Sequence, residues 1–191
     1  MVALGSEYGA DFEISRRWHS DMKLFVKGEF EPFLLEELDL IITEINTLSP
    51  NGFKIEIVDD EHDSNFIAYL GTKEKYNQLF PGASELLKKN NGLFRLKMEK
   101  FVIVQGHLFV NTDLPFLDLQ KYLLREELTH SLAFGDDINY YPNSIFYEQP
   151  SRVTEYSTND KEIIRLLYHP KMIAGLSERS VRNILEDILG I

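Results

Sequence analysis

The chain has no cysteine among its 191 residues, which excludes disulfides, thiolate nucleophiles and cysteine metal ligands together. Any metal has to be held by His, Asp or Glu. Positive charge is also scarce: 20 Lys and Arg stand against 31 Asp and Glu, a formal charge of −11, and the acidic excess is spread along the chain. Such a field repels phosphate, and no basic stripe interleaved with aromatics offsets it. Nucleic acid is therefore not an expected partner, and anionic membrane surfaces are disfavoured. No apolar run approaches the roughly 20 residues that cross a bilayer, so no transmembrane segment is expected. Met1 to Glu7 lack the basic start and apolar centre of a signal peptide. The residues alone leave two options open, a cytoplasmic chain or one whose leader has been removed. Phosphate-cradling glycine loops and G-x-S-x-G nucleophile motifs do not occur.

What is present suffices for one substantial core: 43% of residues are hydrophobic and 12% aromatic. Residues 1–20 read as a polar N-terminal arm, and 21–191 as a single domain. Met22 to Gly28 is a first strand, and Pro32 opens a helix with Leu34, Leu38, Ile41, Ile42 and Ile45 on one face. Phe53 to Val58 alternates as a half-buried strand does, and Asn65 to Leu70 suits a central strand. The intervening Asp59-Asp60-Glu61-His62-Asp63 lacks the spacing of a calcium loop and reads as a solvated turn. After a helix, turn and helix between Lys73 and Asn91 come strands at Leu93 to Met98 and Phe101 to Val104. Gln105-Gly106 is read as a turn into a further strand, His107 to Thr112. Pro115 introduces a helix from Phe116 to about Ala133. A turn-rich stretch containing Tyr140 and Tyr141 leads to helices near Lys161 to Tyr168 and Ser177 to Leu189.

The candidate chemistry sits on the helix before the turn-rich stretch. Glu126-Glu127-Leu128-Thr129-His130 matches the zinc-protease pattern H-E-x-x-H with Glu126 in place of the first histidine. Glu126 and His130 are four apart and project from one helix face. With Asp136 at the third-ligand spacing, the run becomes E-E-x-x-H-x-x-A-x-x-D, where Ala133 replaces the glycine of the longer signature. Glu126, His130 and Asp136 would hold one divalent metal, either zinc or, given two carboxylates, iron or manganese. Glu127 would then be the general base. In the other reading no metal is bound, and Glu126, Glu127 and His130 form a charged hydrogen-bond cluster. An edge strand beside such a helix offers its backbone to an extended peptide. His107 to Thr112 is the expected edge, with His107 and Phe109 as substrate contacts and Tyr140 and Tyr141 near the cleft.

Three stretches carry a resemblance: Glu126 to Asp137; Tyr141-Pro142-Asn143-Ser144-Ile145-Phe146; and Asp160 with Leu166-Leu167-Tyr168-His169-Pro170 through Gly175. Together with Arg17-Trp18 they look like a bacterial family of uncharacterised zincin-like proteins. Its pattern resembles E-E-L-T-Q-x-L-G-x-x-N-D, then S-I-F, then L-Y-H-P-x-x-x-x-G. Where that pattern has glutamine this chain has His130, and the Asn-Asp pair falls on Asp136 and Asp137. The first-position glutamate is shared.

The resemblance implies a zincin-like fold and export to the cell envelope or secretion, with the cytoplasm as the alternative. The expected architecture is thus α/β of the α+β kind. It has a mixed, twisted, mainly five-stranded sheet with an edge hairpin, an active-site-type helix ending at 133, and a loop and helical part over 134–191. The expected function is a peptide- or partner-binding domain with a degenerate metallopeptidase motif. A metal-dependent peptidase is the alternative.

Overall fold

The computed structural model describes residues 14–134, 137–149 and 151–191. The chain forms a mixed α/β domain on one mostly parallel sheet. Its strands are β1 (Arg17–Trp18), β2 (Met22–Gly28), β3 (Ile55–Ile57), β4 (Phe66–Gly71), β5 (Gly92–Glu99) and β6 (Val102–Asn111). The path runs β6-β4-β2-β3 with every pair parallel, and β5 closes the far side of β6 as its antiparallel partner. β1 pairs in parallel with the start of β6.

Alternation along the strands assigns the two faces. Phe66, Ala68 and Leu70 of β4, with Leu108 and Val110 of β6, enter the main core. There they meet α1 (Pro32–Leu48), α4 (Leu117–His130) and α5 (Thr158–Leu167). Tyr69 and Phe109 point the other way, into a smaller cluster with Tyr76 of α2 (Lys73–Leu79) and Leu87 of α3 (Ser84–Leu87). The last helix, α6 (Glu178–Leu189), contributes Val181 against Met172.

Four expectations are corrected. The sheet has six strands. Arg17–Trp18, expected in a polar arm, is a strand; Trp18 is buried and its Nε1 donates to the Ser131 carbonyl at 2.9 Å. Gln105-Gly106 does not turn the chain: β6 is continuous, and the hairpin closes between Glu99 and Val102, with Lys100 at φ +59°. Gly106 is there for close approach, since a Cβ would lie 2.8 Å from both the Arg95 carbonyl and Leu96. Finally, His107 to Asn111 is an interior strand, and the hairpin edge is β5.

The helix α4 is oriented by an ion-pair network that its polar sequence conceals. Arg125 is 3% exposed and donates to Glu37 of α1 at 3.0 Å, pairs also with Glu44, and lies 4.6 Å over the Tyr156 ring. Lys121 adds a bond to Glu37 at 3.2 Å. Leu124 and Leu128 occupy the adjacent stripe, against the sheet. The Arg125→Met variant leaves Glu37 buried without its guanidinium partner, and is expected to cost about 3–5 kcal/mol in urea unfolding. Arg152→Met, at an exposed pair with Asp118, should leave the midpoint nearly unchanged.

Candidate functional site

With Arg125 turned to α1 and Leu128 to the sheet, the third side of α4 presents Glu126, Glu127 and His130 to a cleft of about 310 Å³. The cleft is bounded by the segment from Lys89 to Gly92, by α4, and by Asp137 with Glu148, Gln149 and Ser151. The spacing rule thus holds for the three helical residues.

Each of the three is held differently. Glu126 accepts a 2.6 Å hydrogen bond from the Tyr122 hydroxyl, one turn earlier on the same face. Burial, reinforced by that carboxylate, pushes the Tyr122 phenol far above its ordinary range, so it remains a donor. Glu127 is buried and lies against Gly92, the first residue of β5. A Cβ on Gly92 would come within 3.1 Å of the Glu127 carboxyl carbon, so the absence of a side chain there lets the helix carboxylate approach the strand. His130 is 4% exposed. Phe94 of β5 stacks on its ring at 5.8 Å between centroids, and Phe146 meets it edge-on at 5.4 Å.

The ring nitrogens of His130 both face oxygens. Nδ1 lies 3.1 Å from the Phe134 carbonyl and Nε2 3.2 Å from Asp137 Oδ1. A carbonyl and a carboxylate are acceptors, so an imidazolium satisfies both contacts at once. Among the described residues, no three His, Asp or Glu side chains come together in a way that holds a metal. Asp136 lies outside the described residues, so the set Glu126, His130 and Asp136 is not assembled within them. The described donors do not by themselves make a metal site. Asp137 stands on the imidazole, Glu126 accepts from Tyr122, and Glu127 lies beside Gly92.

The four remaining sequence candidates are elsewhere. His107 and Phe109 stand on the sheet face opposite α4, packed with Tyr76 and Phe80. Their odd-numbered positions on β6 put them there as surely as Leu108 and Val110 face α4. Tyr140 is 80% exposed, and Tyr141 borders a separate depression with Ser157, Thr158 and Asn159. Neither borders the cleft beside Glu127. Sequence reasoning passed over Tyr122, Gly92 and Phe94, and met Asp137 only as part of the resembled pattern beside Asp136. Tyr122 was recoverable, because it precedes Glu126 by one helical turn.

The stretches that carried the resemblance have a mechanical explanation. Asp160 is fully buried, accepts the Ser144 hydroxyl at 2.5 Å and the Ile145 N–H at 3.2 Å, and forms a capping box with Ser157. Two segments are thereby locked together, and Phe146 is held against His130. Tyr168 stacks on Phe53 at 4.4 Å, and Arg17 bonds the Met172 carbonyl. His169, at the end of α5, accepts from the Lys171 N–H.

The chain matches the DUF2927 family, described as protein of unknown function, over residues 1–187, and it belongs to that family. Compared with curated proteins, it matches none.

One backbone feature bears directly on the signature. Ala133, where the longer zinc-protease pattern has glycine, has φ +118°, a conformation that L residues rarely adopt. The backbone at Ala133 thus takes a conformation that a glycine would adopt freely. Ala133→Gly is therefore expected to stabilise the protein by roughly 1 kcal/mol, the relief of strain exceeding the added unfolded-state entropy. Thermal unfolding checks this: the midpoint should rise in Ala133→Gly and fall in Ala133→Val.

Proposed function

We propose that the chain is a zincin-like domain that binds an extended peptide or protein segment in the Glu127 cleft without cleaving it. The observation that carries this reading is the position of β5. It is the antiparallel edge of the sheet, it begins at Gly92 beside Glu127, and its outer backbone groups have no strand partner among the described residues. An extended segment adding to β5 would gain main-chain hydrogen bonds along its length and drop a side chain into the cleft. The charged cluster then serves recognition: Tyr122 and His130 hold Glu126 and Asp137 in place. Placement in the cell envelope is part of the proposal and rests on the resemblance; fractionation of cells carrying the full-length gene checks it.

The second reading is a metal-dependent peptidase with Glu127 as general base. The fixed His130 ring favours it, because Nδ1 on a carbonyl is the second-shell orientation that metal-binding histidines use. That reading calls for one equivalent of zinc, iron or manganese, with Asp136 or another donor completing the ligands.

Two measurements separate the readings. In the binding reading, a peptide selected from a random library slows amide exchange across Gly92 to Lys97 and stays intact. Its affinity falls about tenfold or more in Glu127→Ala. His130→Gln, which installs the residue of the resembled pattern, retains peptide binding, and elemental analysis after metal supplementation finds no stoichiometric metal. One equivalent of metal that disappears in His130→Gln, with peptide cleavage abolished by Glu127→Gln, would instead establish the peptidase.

A further inference from the structure

The opposite face of the sheet carries a second groove, larger than the cleft, at about 670 Å³. It opens because α2 and α3 cover only one end of that face. Toward the other end Ile67, His107 and Arg95 lie in one cross-strand row, with Gln105 and Lys97 in the next. Its polar groups divide into two kinds. Glu61 is engaged by Lys27 at 2.7 Å, Asn65 bonds the backbone of Lys23 and Asp21, and Ser64 bonds the Glu61 carbonyl. Arg95 and Lys97 have no ion pair among the described residues, in a chain of formal charge −11. The groove therefore concentrates positive charge where the rest of the molecule is acidic.

His107 sits at its inner end with its ring 4.0 Å from that of Phe80, and its Nε2 is buried without a hydrogen-bond partner. Burial, and then the neighbouring Arg95, push its pKa down to about 4, so the ring is neutral at physiological pH. A neutral imidazole carries one hydrogen. Placing it on Nδ1 leaves only a lone pair buried at Nε2 and gives the ring, which lines the groove, a donor at its other nitrogen.

We propose that this groove is a binding site for a small oxyanion ligand, a carboxylate or phosphate ester, held by Arg95 and Lys97 with His107 donating a hydrogen bond. A guanidinium offers paired N–H donors that match either group, and Lys97 adds a point charge. The site lies on the opposite face from α4 and does not depend on the peptide-binding reading.

The test is a titration of the histidine-labelled protein with inorganic phosphate and, separately, with succinate, following the ring signals of His107 by NMR. Saturable movement of the His107 signals is expected with at least one anion, and the stronger response identifies which chemistry the groove takes. In Arg95→Gln the affinity should fall about tenfold or more, the size of one charge-assisted hydrogen bond, while the thermal midpoint is unchanged because Arg95 is exposed. His107→Gln, read through the backbone amides of Arg95 and Lys97, should also weaken binding. Absence of saturation with both anions overturns the proposal, as does an affinity that is the same in Arg95→Gln.

Discussion

The buried contact between Arg125 and Glu37 sets the rotation of α4 about its axis, and the cleft depends on that rotation. Bringing a guanidinium and a carboxylate together out of water is favourable only when their remaining hydrogen-bonding groups are also satisfied. Here Glu44, Lys121 and the Tyr156 ring supply most of that satisfaction. A turn of the helix by one position would bury Glu126 or Glu127 against α1, where the neighbouring carboxylates would repel it. The network therefore contributes orientation more than net stability. Thr129, hydrogen-bonded to Tyr156 at 2.6 Å, extends the same constraint toward the last turn.

From that orientation the cleft is assembled by elements far apart in sequence. α4 supplies the acids and the imidazole, β5 supplies a side-chain-free position at Gly92 and the Phe94 ring, and the Ser144 to Phe146 segment closes on His130 from the other side. Asp160 anchors that segment from α5. Trp18 joins β1 to the end of α4 through the Ser131 carbonyl. The result is a rigid imidazole in an aromatic setting, with a carboxylate or carbonyl on each nitrogen. Rigid placement of this kind favours recognition of a fixed ligand geometry over adaptable contact.

Local patterns in the sequence were sufficient for the helices, for most of the strands and for the helix face, because these follow from periodicity. Leu34, Leu38, Ile41 and Ile45 mark one side of α1 at 3.6-residue spacing, and Glu126 with His130 falls on one side of α4 by the same rule. What sequence did not reveal was pairing order. Nothing local distinguishes β5 from β6 as the sheet edge; both are apolar strands of one hairpin, and the choice is made by which of them β4 joins. Assigning the edge to the wrong strand carried His107 and Phe109 into the wrong cleft. Gly106 misled for a related reason, since a glycine needed for close packing and one needed for a turn are spelled alike. Trp18 lay in a polar stretch that offered no periodicity.

The run from Glu126 to Ala133 departs from the zinc-protease pattern at two places, and each departure has a local structural counterpart. Glu126 puts a carboxylate where the zinc-protease pattern has histidine, and that carboxylate accepts from a phenol whose own ionisation is suppressed. Ala133 holds its backbone in a strained conformation that a glycine would adopt freely. Phe134 and Asp137 each meet one ring nitrogen of His130. A carboxylate of the same chain stands at Nε2, the nitrogen whose lone pair a metal-binding histidine would direct at its metal. On the proposed reading, an acidic edge-strand cleft of this kind would select its partner by charge and by extended backbone.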